Sequence, residues 1–231
     1  MSFTRPFITT RFIDYDQGKP GEPVSYSHQL SIAFRAVDEY TEAQLDTPMR
    51  VRLKGIPRSR ALRNLSGHFC FEGLTPGNYQ LVIEPDPLTA NSFFVKPLQG
   101  PWTDIFEIPI VVVANVLLNF ALTLSPRPSY PFDPNATLVR GTVTQGAPAV
   151  ANAVVSSTYD QVNPQDTTQT VKKTVETLTN QDGEYALFFK RLPLRTQQVT
   201  VNAAKGGKQT QDSVLITEGT TRKALLLNLP L

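Results

Sequence analysis

Between Ser125 and Pro134 the chain reads SPRPSYPFDP, with prolines at Pro126, Pro128, Pro131 and Pro134. Proline offers no main-chain donor and holds φ near about −65°, so neither a helix nor a central strand can run through this stretch. It reads as a stiff linker, in places PPII-like. The sequence therefore predicts three parts: a domain over 1–125, a Pro-rich linker over 126–137 and a second domain over 138–231. A chain of 231 residues gives each domain enough length to bury a core without disulfide staples.

Both flanking parts carry strand signals. From Ile105 to Leu124 the chain is apolar, but Glu107, Pro109, Asn115 and Asn119 interrupt it. One alternate set is clean, namely Val112, Ala114, Val116, Leu118, Phe120, Leu122 and Leu124. Period two marks strands with one buried face, not a membrane span. Turn residues punctuate the rest. Asp182-Gly183 predicts a hairpin because glycine takes positive φ cheaply, and Pro76-Gly77 predicts a turn for the same reason. Phe69 and Phe71 match Tyr185 and Leu187 as inward side chains, so the halves read as repeats. Each ends on an apolar strand followed by proline, at Phe120–Pro126 and Leu225–Pro230. The window Ala36 to Leu45 reads either as a short helix or as a long turn between strands Leu30–Val37 and Met49–Lys54. Glu84 to Asp104 reads as a long loop (84–104) of the first domain. The fold class expected is all-β, two tandem sandwiches of Ig or transthyretin-like form.

The start of the second half, Leu138-Val139-Arg140-Gly141-Thr142-Val143 to Ala153-Val154-Val155, followed by Thr179-Asn180-Gln181-Asp182-Gly183-Glu184-Tyr185, resembles a carboxypeptidase regulatory-like domain. That resemblance implies a seven-stranded, transthyretin-like sandwich. It departs after Leu192-Pro193, where the family's Gly and aromatic are missing. The first half is similar over about Leu30 to Ile83 and retains Pro76-Gly77-Asn78-Tyr79. A second resemblance runs over Tyr130 to Gly141, which is similar to accessory proteins of bacterial contractile injection systems. It implies a structural part of a phage-tail-like particle. These motifs are turn chemistry, so they mark a fold better than a function. A transthyretin-like hydrolase is not expected, since Leu229-Pro230-Leu231 does not match the Tyr-Arg-Gly-Ser tail of that enzyme.

Charge is nearly balanced. There are 11 basic and 12 acidic residues over 1–125 and 11 and 8 over 126–231, so −1 and +3 sum to +2. That balance excludes a nucleic-acid binder that relies on bulk charge. One Cys and two His exclude a disulfide framework and a zinc site built of Cys and His alone. Cys70 with His68, two apart on one strand, suggests at most a dyad with no orienting third group. Asp14, Asp16 and Gly18, and again Asn180, Asp182 and Glu184, offer calcium-like oxygens but read better as turn solvation. No cofactor and no metal are expected, and no enzyme.

Two clusters are candidates for binding protein partners. Arg50, Arg52 and Lys54 alternate on one strand face, either as a surface for acidic partners or as a solvated, guarded edge. Phe93, Phe94, Trp102 and Phe106 crowd the long loop and its exit, as a docking anchor, a packed loop or a glycan platform. The expected function is a non-catalytic structural or assembly protein within a multi-subunit assembly, with homo-oligomerisation open. The alternative is a carbohydrate-binding module. With Arg5, Pro6 and Arg11 interrupting the start, no export signal is expected, which predicts a cytoplasmic protein.

Overall fold

The computed structural model describes residues 30–46, 49–57, 59–85, 91–96 and 107–231. These are strands and turns, with helical backbone at Asn91 and Ser92 alone. Among them no helix is long and apolar enough to cross a membrane. In chain order the strands are β1 (Leu30–Asp38), β2 (Met49–Leu53), β3 (Leu62–Arg63), β4 (Phe69–Glu72), β5 (Gly77–Pro85), β6 (Phe93–Lys96), β7 (Glu107–Val112) and β8 (Leu118–Pro126). There follow β9 (Thr137–Gln145), β10 (Val154–Val162), β11 (Thr170–Leu178), β12 (Glu184–Phe189), β13 (Thr196–Lys205), β14 (Lys208–Thr217) and β15 (Thr221–Leu229). The all-β class is thus observed, in four sheets ordered β3-β4-β1-β8-β6, β2-β5-β7, β11-β10-β13-β14 and β12-β9-β15.

The described residues fall into two compact units. One lies within Met1–Ala36, Gln44–Glu84 and Phe106–Leu122, the other within Val37–Ala43, Pro85–Ile105 and Thr123–Leu231. In the first, Ile32 and Phe34 of β1, Phe69 and Phe71 of β4 and Leu81 of β5 are buried, as are Ile108, Ile110 and Val112 of β7. Phe34 stacks on Phe69 and Phe120 at centroid separations of 5.3 and 5.2 Å. The clean alternation through Val112–Leu124 is not one strand. It is broken by a turn in which Asn115 takes φ 57°, leaving Val113 and Val116 each 54% exposed. The Pro76-Gly77 expectation also shifts. Gly73 takes the positive φ, at 65°, while Gly77 is already the first residue of β5. Proline at 76 presets an extended approach to the strand instead.

The second unit is a sandwich. Val139, Val143, Tyr185, Leu187, Phe189, Leu227 and Leu229 from β9, β12 and β15 share a buried cluster with Val155, Tyr159, Val175, Val199, Val201, Val214 and Ile216 from β10, β11, β13 and β14. Alternation assigns the inward set, because every second strand side chain points to one face. Asp182-Gly183 forms a turn but not the expected hairpin, since it carries the chain from β11 in one sheet to β12 in the other. Gly183 takes φ 71°, and an added Cβ there would lie 2.6 Å from the Val143 carbonyl oxygen. β15 returns to lie parallel to β9, with its register shifted between Arg222 and Leu225. That shift brings the Leu225 carbonyl over Gly141, where a Cβ would sit 1.9 Å from its oxygen.

Two buried hydroxyls in this core, Ser157 Oγ and Tyr185 Oη, make no hydrogen bond. Burial, then the Asp212 charge, pushes the Tyr185 phenol pKa upward, so it stays protonated. An unpaired buried hydroxyl costs its desolvation. Tyr185→Phe is therefore expected to stabilise the protein by about 1 kcal/mol. Thermal melts of both proteins check this, and a variant that melts lower contradicts it.

Candidate protein-docking surfaces

A network of polar and aromatic groups lies inside the second unit, around Asp38. The Tyr130 hydroxyl donates to Asp38 Oδ2 at 2.7 Å, the Thr41 hydroxyl to the same oxygen at 2.9 Å, and the Tyr40 N–H to Oδ1 at 2.7 Å. The Tyr40 ring meets Tyr130, Phe132 and Phe188 edge-on at 5.6, 5.1 and 5.5 Å. Tyr40 and Phe132 thereby cover Ala136, Leu138 and Phe188. Arg140 sits 5.3 Å over the Phe132 ring and donates to the Pro128 carbonyl at 2.6 Å. Burial, then Asp38, then Tyr40, raises the Tyr130 phenol pKa, so it remains a donor.

Within 126–137, Pro126, Pro128, Ala136 and Thr137 are buried, while Ser129, Pro131 and Asn135 are exposed. Pro126 ends β8, the Pro126 carbonyl accepts from buried Thr177 Oγ1 at 3.3 Å, and Pro128 is buried. The prolines stop the strand, and the aromatics between them supply apolar cover. Residues Ala36 to Leu45 finish β1 and turn, with Glu42 at φ 61°. Glu42 reaches Lys190 at 3.3 Å and Arg191 at 3.2 Å, and Arg191 is itself at φ 51°. Lys190 Nζ also lies 5.4 Å over the Tyr40 ring.

Burial pushes the Glu42 carboxyl up, but Lys190 and then Arg191 outweigh it and hold the group below its ordinary 4.5. A depressed carboxyl stabilises the fold fully above its unfolded pKa and stops doing so as pH falls through the folded value. Glu42 is 55% exposed, so the contribution is only a few tenths of a kcal/mol. The stability gap between the native protein and Glu42→Gln is expected to hold at neutral pH and to close below pH 4.5. Urea titrations at several pH values read it directly.

The expected site residues fall as follows. Arg52 pairs with Glu84 at 3.0 Å, and Lys54 with Glu107 at 2.9 Å, where Gln80 also donates at 2.7 Å. Arg50 is exposed on β2. Two of the three cations are thus neutralised by neighbouring carboxylates, which sequence spacing alone did not show. Phe93 is 5% exposed, lies 5.2 Å from Tyr130 and gives its carbonyl to Arg127 Nε. Phe94 lies on β6, opposite Ser125 of β8. Trp102 and Phe106 lie outside the described residues, as do His28 and the Asp14–Gly18 stretch.

The groups that suggested chemistry are engaged otherwise. His68 precedes β4 and its Nδ1 lies 3.3 Å from Ser66 Oγ. Cys70 Sγ approaches the His68 carbonyl at 3.8 Å. Burial, then Glu72, pushes the Cys70 thiol up, away from the nucleophilic thiolate. Asn180 caps its own turn, accepting from the Asp182 and Glu184 amides at 3.0 and 2.8 Å and donating to the Glu184 carboxylate. Among the described residues no cluster of three His, Cys, Asp or Glu could hold a metal.

The outer face of β11-β10-β13-β14 carries rows of hydroxyls. Thr158 pairs with Thr174 at 2.9 Å, Thr200 with Ser213 at 3.3 Å and Thr196 with Thr217 at 3.4 Å. At the margin of the same sheet β14 runs ten residues in unbroken register with β13.

No family model and no curated protein matches the chain. Among solved structures it is similar to a streptococcal ancillary pilin, at 11% identity over 87% of this chain and 62% of that one, with a TM-score of 0.29. It is similar to the Bacillus anthracis TIE protein at 13% identity over 87% and 34%, TM-score 0.29. The shaft pilin SpaA from Lactobacillus rhamnosus GG follows at 7% identity over 87% and 98%, TM-score 0.27. The chain thus spans less than two thirds of the first two of these proteins.

Proposed function

We propose that this chain is a non-catalytic structural protein that docks protein partners within a multi-subunit assembly, acting through open strand margins on stable sandwiches. The observation that carries the reading is the ten-residue β14 margin, which among the described residues is bounded by β13 on one side only. An open strand is a template for main-chain pairing with another chain. The engagement of Asp38, Arg52, Lys54, Lys190 and Arg191 in structural bonds supports a supporting role for the charged groups. The resemblance of Tyr130 to Gly141 to accessory proteins of contractile injection systems supports a phage-tail-like particle as the assembly, with a cytoplasmic site of synthesis. The carboxypeptidase regulatory-like resemblance supports the domain division 1–125, 126–137 and 138–231. Affinity isolation of the full chain from native lysate, with stoichiometry by mass spectrometry, tests this. A fixed-ratio set of particle proteins is expected. A chain that elutes alone overturns the reading.

A second reading has its own support. Hydroxyl rows on one sheet face suit a glycan. A glycan-array signal lost in Trp102→Ala would favour it.

A further inference from the structure

Strand margins in this protein are guarded unequally. β11, at the far side of the four-stranded sheet, exposes Lys172 and Lys173. The β2 margin carries the exposed Arg50, and β7 carries Pro109. Like charges and proline both oppose strand addition. β14 carries neither. It holds one charge of each sign, Lys208 and Asp212, four residues apart on the same side of the strand.

The main chain of this margin can be oriented. The Ser213 N–H donates to the Asp212 carboxylate at 2.8 Å, so it points away from β13. Orientation alternates along an antiparallel strand. Gln209, Gln211 and Ser213 therefore turn their N–H and C=O groups to the open side, while Lys208, Thr210 and Asp212 serve the ladder to β13.

From this we infer that β14 pairs antiparallel with β14 of a second copy, about a two-fold axis through Thr210. The inference rests on the preceding reading that strand margins are the docking surfaces, and it names one partner. In that register Lys208 lies opposite Asp212 of the other copy, twice, and Gln209 opposite Gln211, twice. The glutamine pairs exchange main-chain hydrogen bonds. Asp212 trades its local bond to Ser213 for the facing lysine. An axis through Asp212 would oppose two carboxylates, and no other register sets Lys208 directly against Asp212. The overlap is short, so the dimer is weak and concentration-dependent.

Sedimentation of the full chain from micromolar to millimolar concentration tests this. The native protein is expected to dimerise. Lys208→Glu and Asp212→Lys are each expected to weaken self-association tenfold or more. Mixed together, these two variants are expected to dimerise with each other, since both facing pairs are then complementary. Gln211→Pro removes an outward N–H without touching the β13 ladder, and is expected to stay monomeric and folded. A native protein monomeric throughout, or single variants that dimerise as the native protein does, overturns the inference. Monomers that still co-purify with particle proteins leave the assembly role standing and remove only this dimer. Charge-dependent dimers that co-purify with nothing do the reverse.

Discussion

Gly141→Ala is expected to lower stability by about 3 kcal/mol or more and to depress the melting temperature by roughly 10 °C. The new methyl would lie 1.9 Å from the Leu225 carbonyl oxygen, 2.8 Å from that carbonyl carbon and 2.8 Å from Tyr185 Oη. Two of these neighbours are main chain, so relief requires β15 to move off β9. That would disturb the pairings from Leu225↔Gly141 to Leu229↔Gln145. Gly206→Ala is the control. It has open space around it and a φ of 57°, so only backbone strain of about 1 kcal/mol applies. Calorimetry on the three proteins separates the effects. Equal melting temperatures for the two variants would contradict the close approach of β15.

Asp38→Ala is expected to cost about 2–4 kcal/mol, because it strands three donors at once. Asp38 is 3% exposed, and Tyr130, Thr41 and the Tyr40 amide all point at its carboxylate. Asp38→Asn keeps an oxygen acceptor and is expected to recover part of the loss. Tyr130→Phe alone is expected to cost about 1 kcal/mol, and the double variant less than the sum of the two. Urea denaturation followed by circular dichroism measures all four. Strict additivity would mean that the groups do not act as one network.

Much of this architecture is legible in residue order. The alternation of Tyr185, Leu187 and Phe189 against Ala186 and Phe188 assigns faces, and the Asp182-Gly183 pair marks a turn, though one that passes between sheets and not a hairpin. The outward face was harder. Ala186 and Phe188 are also buried, and over Phe188 the cover comes from Phe132, in the segment between the prolines, together with Tyr40. Proline content indicates where regular structure stops. It does not indicate whether neighbouring aromatics then pack, which depends on partners distant in sequence such as Asp38 and Tyr130. Charge spacing has the same limit. Arg52 and Lys54 look like a patch until Glu84 and Glu107 are brought beside them by β5 and β7. The unmatched signs on β14 were visible in the sequence, but only the strand's place at a sheet margin gives them meaning.

The parallel pairing of β15 with β9 also sets an order of events. β9 begins at Thr137 and needs β12 on one side and β15, which ends at Leu229, on the other. While the ribosome is still making the intervening strands, β9 has one flank unsatisfied. The four-stranded partner sheet is built of neighbouring hairpins and can assemble early, whereas this sheet waits for its last strand. Joining residues so far apart in sequence slows folding. The growing chain therefore exposes the Val139–Val143 flank until β15 has been made, and that interval is when a chaperone or a premature partner would find it.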